Sequence, residues 1–202
     1  YAQHGSALVA ACAANGTHYC DLAGEPPWIR RMIDAHHRTA ERSGARIVPC
    51  CGFDSIPSDL GCFVLDETMR ACHGSACATA TLYVTSLRGG ASGGTMVSLL
   101  GVLDEARRSP EVRRMLRDPY GLNPDGERSG PDRRDSVSVA YDRGRRCFTA
   151  PFVMSAINTR VVRRSNALLD YRYGRAFRYR EVTQFPGTPS GWRTSAPRSA
   201  CT

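Results

Sequence analysis

A short polar loop near residue 50 carries the residue types best suited to chemistry in this chain. The apolar run 46–51 is followed by Gly52-Phe53-Asp54-Ser55 and then by a helix that Ser58 is expected to cap. Backbone N–H groups in such a loop can hold a cofactor or a carbonyl oxygen, and Asp54 and Ser55 can orient a ribose, an amide or a water molecule. In the structural alternative, the same two side chains form local turns. Spacing alone leaves both interpretations open.

A second candidate is the glycine-rich stretch that contains Ser92, Gly93, Gly94 and Thr95. Flexible backbone before a helix can bind an anion at the helix N-terminus. The stretch lacks the Gly-Lys-[Ser/Thr] of a P-loop, and it is not a Gly-x-Gly-x-x-Gly that follows a strand. A flexible turn capped by Ser92 or Thr95 is therefore the favoured interpretation.

Other reactive residue types form no recognisable site. The nine cysteines contain no Cys-x-x-Cys, and the five histidines complete no zinc spacing. We therefore expect reduced thiols packed as small hydrophobes, and no metal. No Ser/His/Asp or Cys/His arrangement supports hydrolase chemistry. Asp21 and Glu25 follow another strand and either face the crevice near Asp54 or are solvated.

Composition narrows the class of protein. The 202 residues carry a net charge of +8, and all 27 basic residues are Arg, spread along the chain without a nucleic-acid-binding motif. We therefore expect no nucleic-acid partner. No apolar run approaches the ~18–20 residues that span a bilayer, and the first residues show no secretory signal. A cytoplasmic protein is expected, with peripheral contact to a membrane left open.

The elements that would position these residues alternate at first. Helices are predicted from Ser6 to Gly16 and from Pro26 to Gly44, and strands over 17–22 and 46–51. This alternation with short connections is typical of α/β proteins with a parallel sheet. The later part is mixed: strands over 78–85 and 177–182, helices over 96–107 and 152–169, a hairpin formed by 136–141 and 146–150, and a disordered tail over 183–202.

Several runs together resemble the saccharopine dehydrogenase-like oxidoreductases, especially their trans-acting enoyl reductase branch. The resemblance covers roughly residues 1–182, and the run 52–59 is its most specific part. The other runs that carry it are 16–25, 92–95, 118–124, 150–154 and 158–165.

The resemblance implies an NAD(P)-dependent oxidoreductase. The implied reaction is hydride transfer from NADPH (or NADH) to an unsaturated acyl chain in complex-lipid or glycolipid biosynthesis. By this resemblance Gly52, Phe53, Asp54 and Ser55 line the nicotinamide end of the cleft, and Ser92, Gly93, Gly94 and Thr95 belong to the substrate side. The implied partners are an acyl-chain or other small-molecule substrate, and either a second copy of the chain or an enzyme of lipid synthesis. No proton donor is implied at a matched position.

The family's Gly-rich first turn has no counterpart in this chain. We therefore expect a fragment with three parts: the C-terminal part of a Rossmann-like NAD(P)-binding domain (1–72), a mixed α+β substrate or dimerisation domain (73–182) and the tail (183–202). Loss of the pyrophosphate-binding turn predicts weak dinucleotide binding. The alternative is a non-catalytic interaction module or an inactive relic.

Overall fold

The computed structural model describes residues 1–86, 93–133 and 138–186, without the side chain of Thr95. Within these ranges the chain is mixed α/β, with six helices and six strands in two sheets. The helices are α1 (Gly5–Ala14), α2 (Pro26–Ser43), α3 (Ile56–His73), α4 (Gly93–Arg108), α5 (Pro110–Arg117) and α6 (Ser155–Leu168). The strands are β1 (Tyr19–Cys20), β2 (Ile47–Val48), β3 (Thr79–Val84), β4 (Ala140–Asp142), β5 (Cys147–Pro151) and β6 (Arg178–Phe185).

The predicted alternation of helices and strands is present in the first part of the chain. Strands β1 and β2 are parallel, with Tyr19 opposite Ile47 and Cys20 opposite Val48, and α2 connects them. Each strand has two residues, fewer than the six that the sequence predicted. The wider Rossmann-like arrangement stays a prediction.

Local sequence signals explain where α2 lies. Pro26 and Pro27 occupy its first turn, where a missing N–H breaks no hydrogen bond, and Gly44 ends it with φ of 77°. Gly16, in the turn between α1 and β1, also has a positive φ of 69°, and a Cβ there would lie 2.9 Å from the Ser43 carbonyl oxygen. Glycine at this position therefore allows the turn to pack against the end of α2.

Helix α3 begins earlier than the sequence suggested. Its first residue is Ile56, so Ser58 lies buried inside the first turn and the predicted cap at Ser58 is wrong. The Ser55 carbonyl oxygen accepts hydrogen bonds from the N–H groups of Ser58 (3.1 Å) and Asp59 (3.2 Å). Pro57 fits the second helical position because no intrahelical partner is needed there.

The second sheet has the order β3-β6-β5-β4. Strand β6 is parallel to β3 and antiparallel to β5, and β5 forms the predicted antiparallel hairpin with β4. Phe185 pairs with Phe148, so residues 183–185, which the sequence placed in the tail, are part of the sheet. The ladder with β5 supplies hydrogen bonds that the polar sequence did not reveal. Residues 187–202 of the predicted tail lie outside the described residues.

Helix α6 packs against both hydrophobic clusters. Ile157 belongs to the first cluster, which also includes Trp28 and Ile29, and Val162 belongs to the second, with Tyr173 and Phe177. Both clusters draw residues from the two sides of the predicted boundary near residue 72: Leu122 and Ile157 join the first, and Cys62 joins the second. The domain division stays a prediction.

Because α6 connects the clusters, truncation in either one should weaken the same cooperative unit. We expect Ile157→Ala to cost about 2–5 kcal/mol and Val162→Ala roughly 1–3 kcal/mol of unfolding free energy. Val153→Ala, at a site 69% exposed, is the control and should change little. Urea unfolding followed by circular dichroism and by Trp fluorescence measures this. Two separate transitions, with each variant shifting only one, would contradict it.

Candidate functional site

The ends of β1 and β2 are joined through Asp21, which is buried. One carboxylate oxygen accepts hydrogen bonds from the N–H groups of Ala23 (2.9 Å) and Cys50 (3.3 Å), and the other accepts one from the Tyr19 hydroxyl (2.8 Å). Burial, followed by the hydrogen bond to Asp21 and then the Asp21 charge, raises the pKa of Tyr19. Asp21 is therefore a structural carboxylate that fixes the point where the polar loop begins, rather than a solvated turn acid.

Cys50 begins the loop in an unusual backbone conformation. Its φ is 62°, a left-handed value that costs a non-glycine residue about 1–2 kcal/mol. Its side chain is buried, and the thiol lies 2.9 Å from the Ala23 carbonyl oxygen, to which it donates. Burial, followed by the charge of Asp21, raises the pKa of Cys50 to about 12. The thiol is therefore protonated at neutral pH and serves packing rather than nucleophilic chemistry.

The predicted cofactor loop exposes two of its four residues. Phe53 is 91% exposed and Asp54 is also exposed, whereas Gly52 and Ser55 are buried. The Gly52 carbonyl oxygen accepts hydrogen bonds from the N–H groups of Ser55 (3.1 Å) and Ile56 (2.9 Å). These two backbone donors are used inside the loop, and the Phe53 ring and the Asp54 carboxylate are exposed to a ligand.

Asn158 on α6 holds the loop in place. Its side chain is fully buried, and its Oδ1 accepts a hydrogen bond from the Ser55 hydroxyl at 2.8 Å. Its Nδ2 donates to the Asp54 carbonyl oxygen at 2.7 Å and to Glu181 Oε2 at 3.0 Å. One amide therefore connects the loop to α6 and to strand β6.

Glu181 on strand β6 extends the hydrogen-bond network of Asn158 to the second sheet. It is 4% exposed, and its Oε1 accepts a hydrogen bond from the Tyr179 hydroxyl at 2.7 Å. Burial, and then the nearby Glu181 charge, raise the pKa of Tyr179. A buried carboxyl group needs such donors, because leaving its oxygens unpaired away from water is costly.

A second polar pair lies on the other side of the loop. Ser165 on α6 donates its hydroxyl to Asp59 Oδ2 at 2.9 Å, while the buried Asp59 Oδ1 has no hydrogen-bond partner in the described part of the chain. Burial raises the pKa of Asp59 above its ordinary value. Both residues line a cavity of about 480 Å³ that is bounded by α2, β2, α3 and α6. Cys51 and Ile56 also line it, but the four loop residues between them do not.

The predicted substrate residues are only partly described. Gly93 and Gly94 are exposed in the first turn of α4, Thr95 lies in that helix, and Ser92 is outside the described residues. Helix α4 is attached to the α2 side of the molecule by a hydrogen bond from the Ser98 hydroxyl to Glu25 Oε1 at 2.7 Å. Glu25 is thus a buried structural carboxylate like Asp21.

The sequence interpretation missed the residues that position the loop. Asn158 and Ser165 appeared only inside a run that carried the resemblance, and Glu181 only as part of a strand pattern. One signal was available in the sequence, namely the many polar residues in the run predicted as helix α6. A helix that packs against apolar segments normally buries apolar side chains. Helix α6 instead buries many polar ones, namely Ser155, Asn158, Thr159, Arg160, Arg163 and Asn166.

Other classes of site are not evident in the residues that the structure describes. These ranges contain no group of three or more His, Cys, Asp or Glu side chains placed to hold a metal ion. Their eight cysteines are unpaired, and four of them are buried. None of the helices in these ranges combines the length and apolarity that crossing a membrane requires.

The chain is similar to proteins named for enoyl reduction. It is 46% identical over 195 residues to a protein of Mycobacterium tuberculosis named as a candidate trans-acting enoyl reductase, covering 93% of this chain and 46% of that protein. It is 41% identical over 190 residues to the trans-acting enoyl reductase of Mycobacterium ulcerans and 39% identical over 190 residues to that of Mycobacterium leprae, covering 90% of this chain and 45% of each relative. The chain thus spans about half the length of these curated relatives. No family model and no solved structure matches it.

Removing the Asn158 amide should loosen the whole molecule. Asn158→Ala leaves Ser55 and Glu181 buried with fewer partners, so we expect a loss of roughly 2–4 kcal/mol of unfolding free energy. Asn15→Ala is the control, since that amide is exposed and bonds only within its own helix turn. Urea denaturation measures both variants. Equal small losses would show that the buried network does not stabilise the fold.

Asp59 should make stability fall as the pH rises. Because the pKa of Asp59 is raised in the folded state, its favourable contribution is complete below the unfolded value of 3.8 and is lost as pH rises through the folded pKa. At pH 7, Asp59→Asn should therefore melt at a higher temperature than the unsubstituted chain, by roughly 2–4 °C per kcal/mol gained. At low pH the two chains should melt at the same temperature. Asp170→Asn, at an exposed position, is the control. A gain that does not depend on pH would contradict this explanation.

Proposed function

We propose that this chain acts in the NAD(P)H-dependent reduction of an enoyl acyl chain, in the biosynthesis of a complex lipid. The observation that carries the proposal is the 46% identity over 195 residues to a candidate trans-acting enoyl reductase. The NAD(P)H cofactor and the lipid-biosynthetic pathway are inferred from the resemblance of the sequence to the saccharopine dehydrogenase-like oxidoreductases. The proposed cofactor site is the exposed loop after β2.

The proposed cofactor site is the loop at the carboxyl end of β2. Open α/β sheets bind their ligands beyond this end of the strands. The exposed Phe53 ring offers an apolar face to the nicotinamide, and the exposed Asp54 carboxylate can accept hydrogen bonds from a ribose or a carboxamide. Ser55 is committed to Asn158, so it positions the loop instead of touching the cofactor. Gly52 supplies the carbonyl oxygen that closes the turn.

The bound cofactor would supply a hydride to the β-carbon of an α,β-unsaturated thioester, and a proton would then be added to the α-carbon. In the proposal, the loop residues hold and orient the nicotinamide so that this transfer can occur. Ser92, Gly93, Gly94 and Thr95 are proposed for the acyl-chain side. No described residue is assigned as the proton donor.

The loop assignment predicts a specific loss of cofactor binding. In a fluorescence titration with NADPH, Asp54→Ala and Phe53→Ala should each bind about tenfold more weakly, because each removes one contact worth about 1.4 kcal/mol. Their melting temperatures should not change, since both side chains are exposed. Asp125→Ala is the matched control, with the same change of charge at an exposed site.

Turnover tests the reaction class. The chain, joined to a domain that supplies the Gly-rich turn, should oxidise NADPH in the presence of a trans-2-enoyl thioester, and the two loop variants should slow this reaction. Unchanged NADPH affinity in both variants would contradict the loop assignment. If this joined protein folds but binds no NADPH and reduces no enoyl thioester, the proposed activity is contradicted and a non-catalytic interaction module is favoured.

A further inference from the structure

The cavity next to Asp59 has the size and the walls of a site for a small ligand. Its volume of about 480 Å³ lies within the range of about 300–1,000 Å³ that is usual for such sites. Apolar side chains from α2 and α6, and from the segment after α5, form most of the wall. The larger ones are Trp28, Ile29, Met32, Ile33, Leu122 and Val161.

One cation in this apolar wall lacks a counter-charge. Arg164, on α6, is half-buried and lines the cavity, and its Nη1 donates to the Leu122 carbonyl oxygen at 2.5 Å. In the described ranges no carboxylate lies within ion-pair distance of its guanidinium. The neighbouring Arg163, by contrast, is paired with Asp132 at 2.7 Å.

The charge on Arg164 is therefore costly in the free protein. Burial, together with the positive charge of Arg30, lowers the pKa of Arg164 to about 10, so the guanidinium is still charged at neutral pH. A guanidinium without a counter-charge is stabilised most by a carboxylate, because two parallel N–H groups of the guanidinium can donate to the two carboxylate oxygens.

The polar side chains of Ser165 and Asp59 lie in the same wall, which also contains those of Tyr19, Asp21, His36, His37 and Glu41. The Ser165 hydroxyl follows Arg164 directly, and it donates to Asp59, whose buried Oδ1 has no hydrogen-bond partner in the described part of the chain. Burial raises the pKa of Asp59 above its ordinary value. The guanidinium of Arg164 and the hydroxyl of Ser165 thus offer polar contacts to one end of an otherwise apolar ligand.

We propose that this cavity binds a single aliphatic chain that ends in a carboxylate, with the head group on Arg164 and the chain among the apolar residues of α2 and α6. The site is separate from the loop assigned to the cofactor, because Gly52, Phe53, Asp54 and Ser55 do not line the cavity. The proposal therefore stands independently of the proposed function.

Calorimetric titration of the full chain with matched ligands tests the chemistry. Dodecanoate should bind, dodecanol should bind at least about tenfold more weakly, and acetate and dodecyltrimethylammonium should not bind measurably. Equal affinity for dodecanoate and dodecanol would overturn the role of the charged head group. No binding of dodecanoate would overturn the site.

A pair of arginine variants tests the residue. Arg164→Gln should weaken dodecanoate binding by at least about tenfold and leave dodecanol binding unchanged. It should not lower the melting temperature, because it removes an unpaired charge and keeps a donor for Leu122. Arg38→Gln makes the same change of charge at an exposed position of α2 outside the cavity, and it should bind like the original chain. Equal losses in both variants, or none in Arg164→Gln, would overturn the assignment.

Discussion

The hydrogen bonds of one buried amide determine how the parts of this molecule fit together. Asn158 accepts a hydrogen bond from Ser55 and donates to Asp54 and Glu181; the bonds to Ser55 and Glu181 are buried, and the bond to Asp54 is partly buried. In a dry environment each missing partner would cost about 1–3 kcal/mol, so the loop, α6 and β6 have little freedom to shift relative to one another. The first two contacts span 103 and 104 residues of sequence.

This constraint explains how a loop of small and polar residues can keep a defined shape. The buried residues of the loop are held by hydrogen bonds. Ser55 donates to Asn158, and the Gly52 carbonyl oxygen accepts the bonds that close the turn. At the start of the loop, Asp21 holds the N–H of Cys50, which has a left-handed backbone. With these inner contacts made, Phe53 and Asp54 are left exposed next to one another. Side chains held on a rigid support in this way are suited to contacting a ligand.

The buried polar groups around helix α6 form two sets, which differ in how completely they are hydrogen-bonded or paired. Asn158 and Glu181 form a set whose hydrogen bonds are largely complete, and such a set favours a single structure. Asp59 and Arg164 form a set that is incomplete: one has an unpaired buried oxygen and the other lacks a counter-charge. Because burying such groups opposes folding, their presence along a cavity is better explained by binding than by stability.

The sequence predicted the elements better than the contacts between them. Pro26-Pro27 and Gly44 marked the ends of α2, and the run 177–182 marked the start of β6, because these signals act within a few residues. The start of α3 was missed because a Ser was taken as a cap where Pro57 allowed an earlier turn. Asn158 and Arg164 could not be assigned, since their roles depend on partners that only the folded chain brings together.

Asn158 holds the loop in place, and amide hydrogen exchange tests this role most directly. The N–H groups of Ser55 and Ile56, which bond to Gly52, should exchange faster in Asn158→Ala than in the original chain, by about tenfold or more. The N–H of Ile29 in α2, which donates to the carbonyl oxygen of Glu25 just before that helix, is the internal reference and should accelerate less. Equal acceleration at all three amides, or none at Ser55 and Ile56, would contradict the claim.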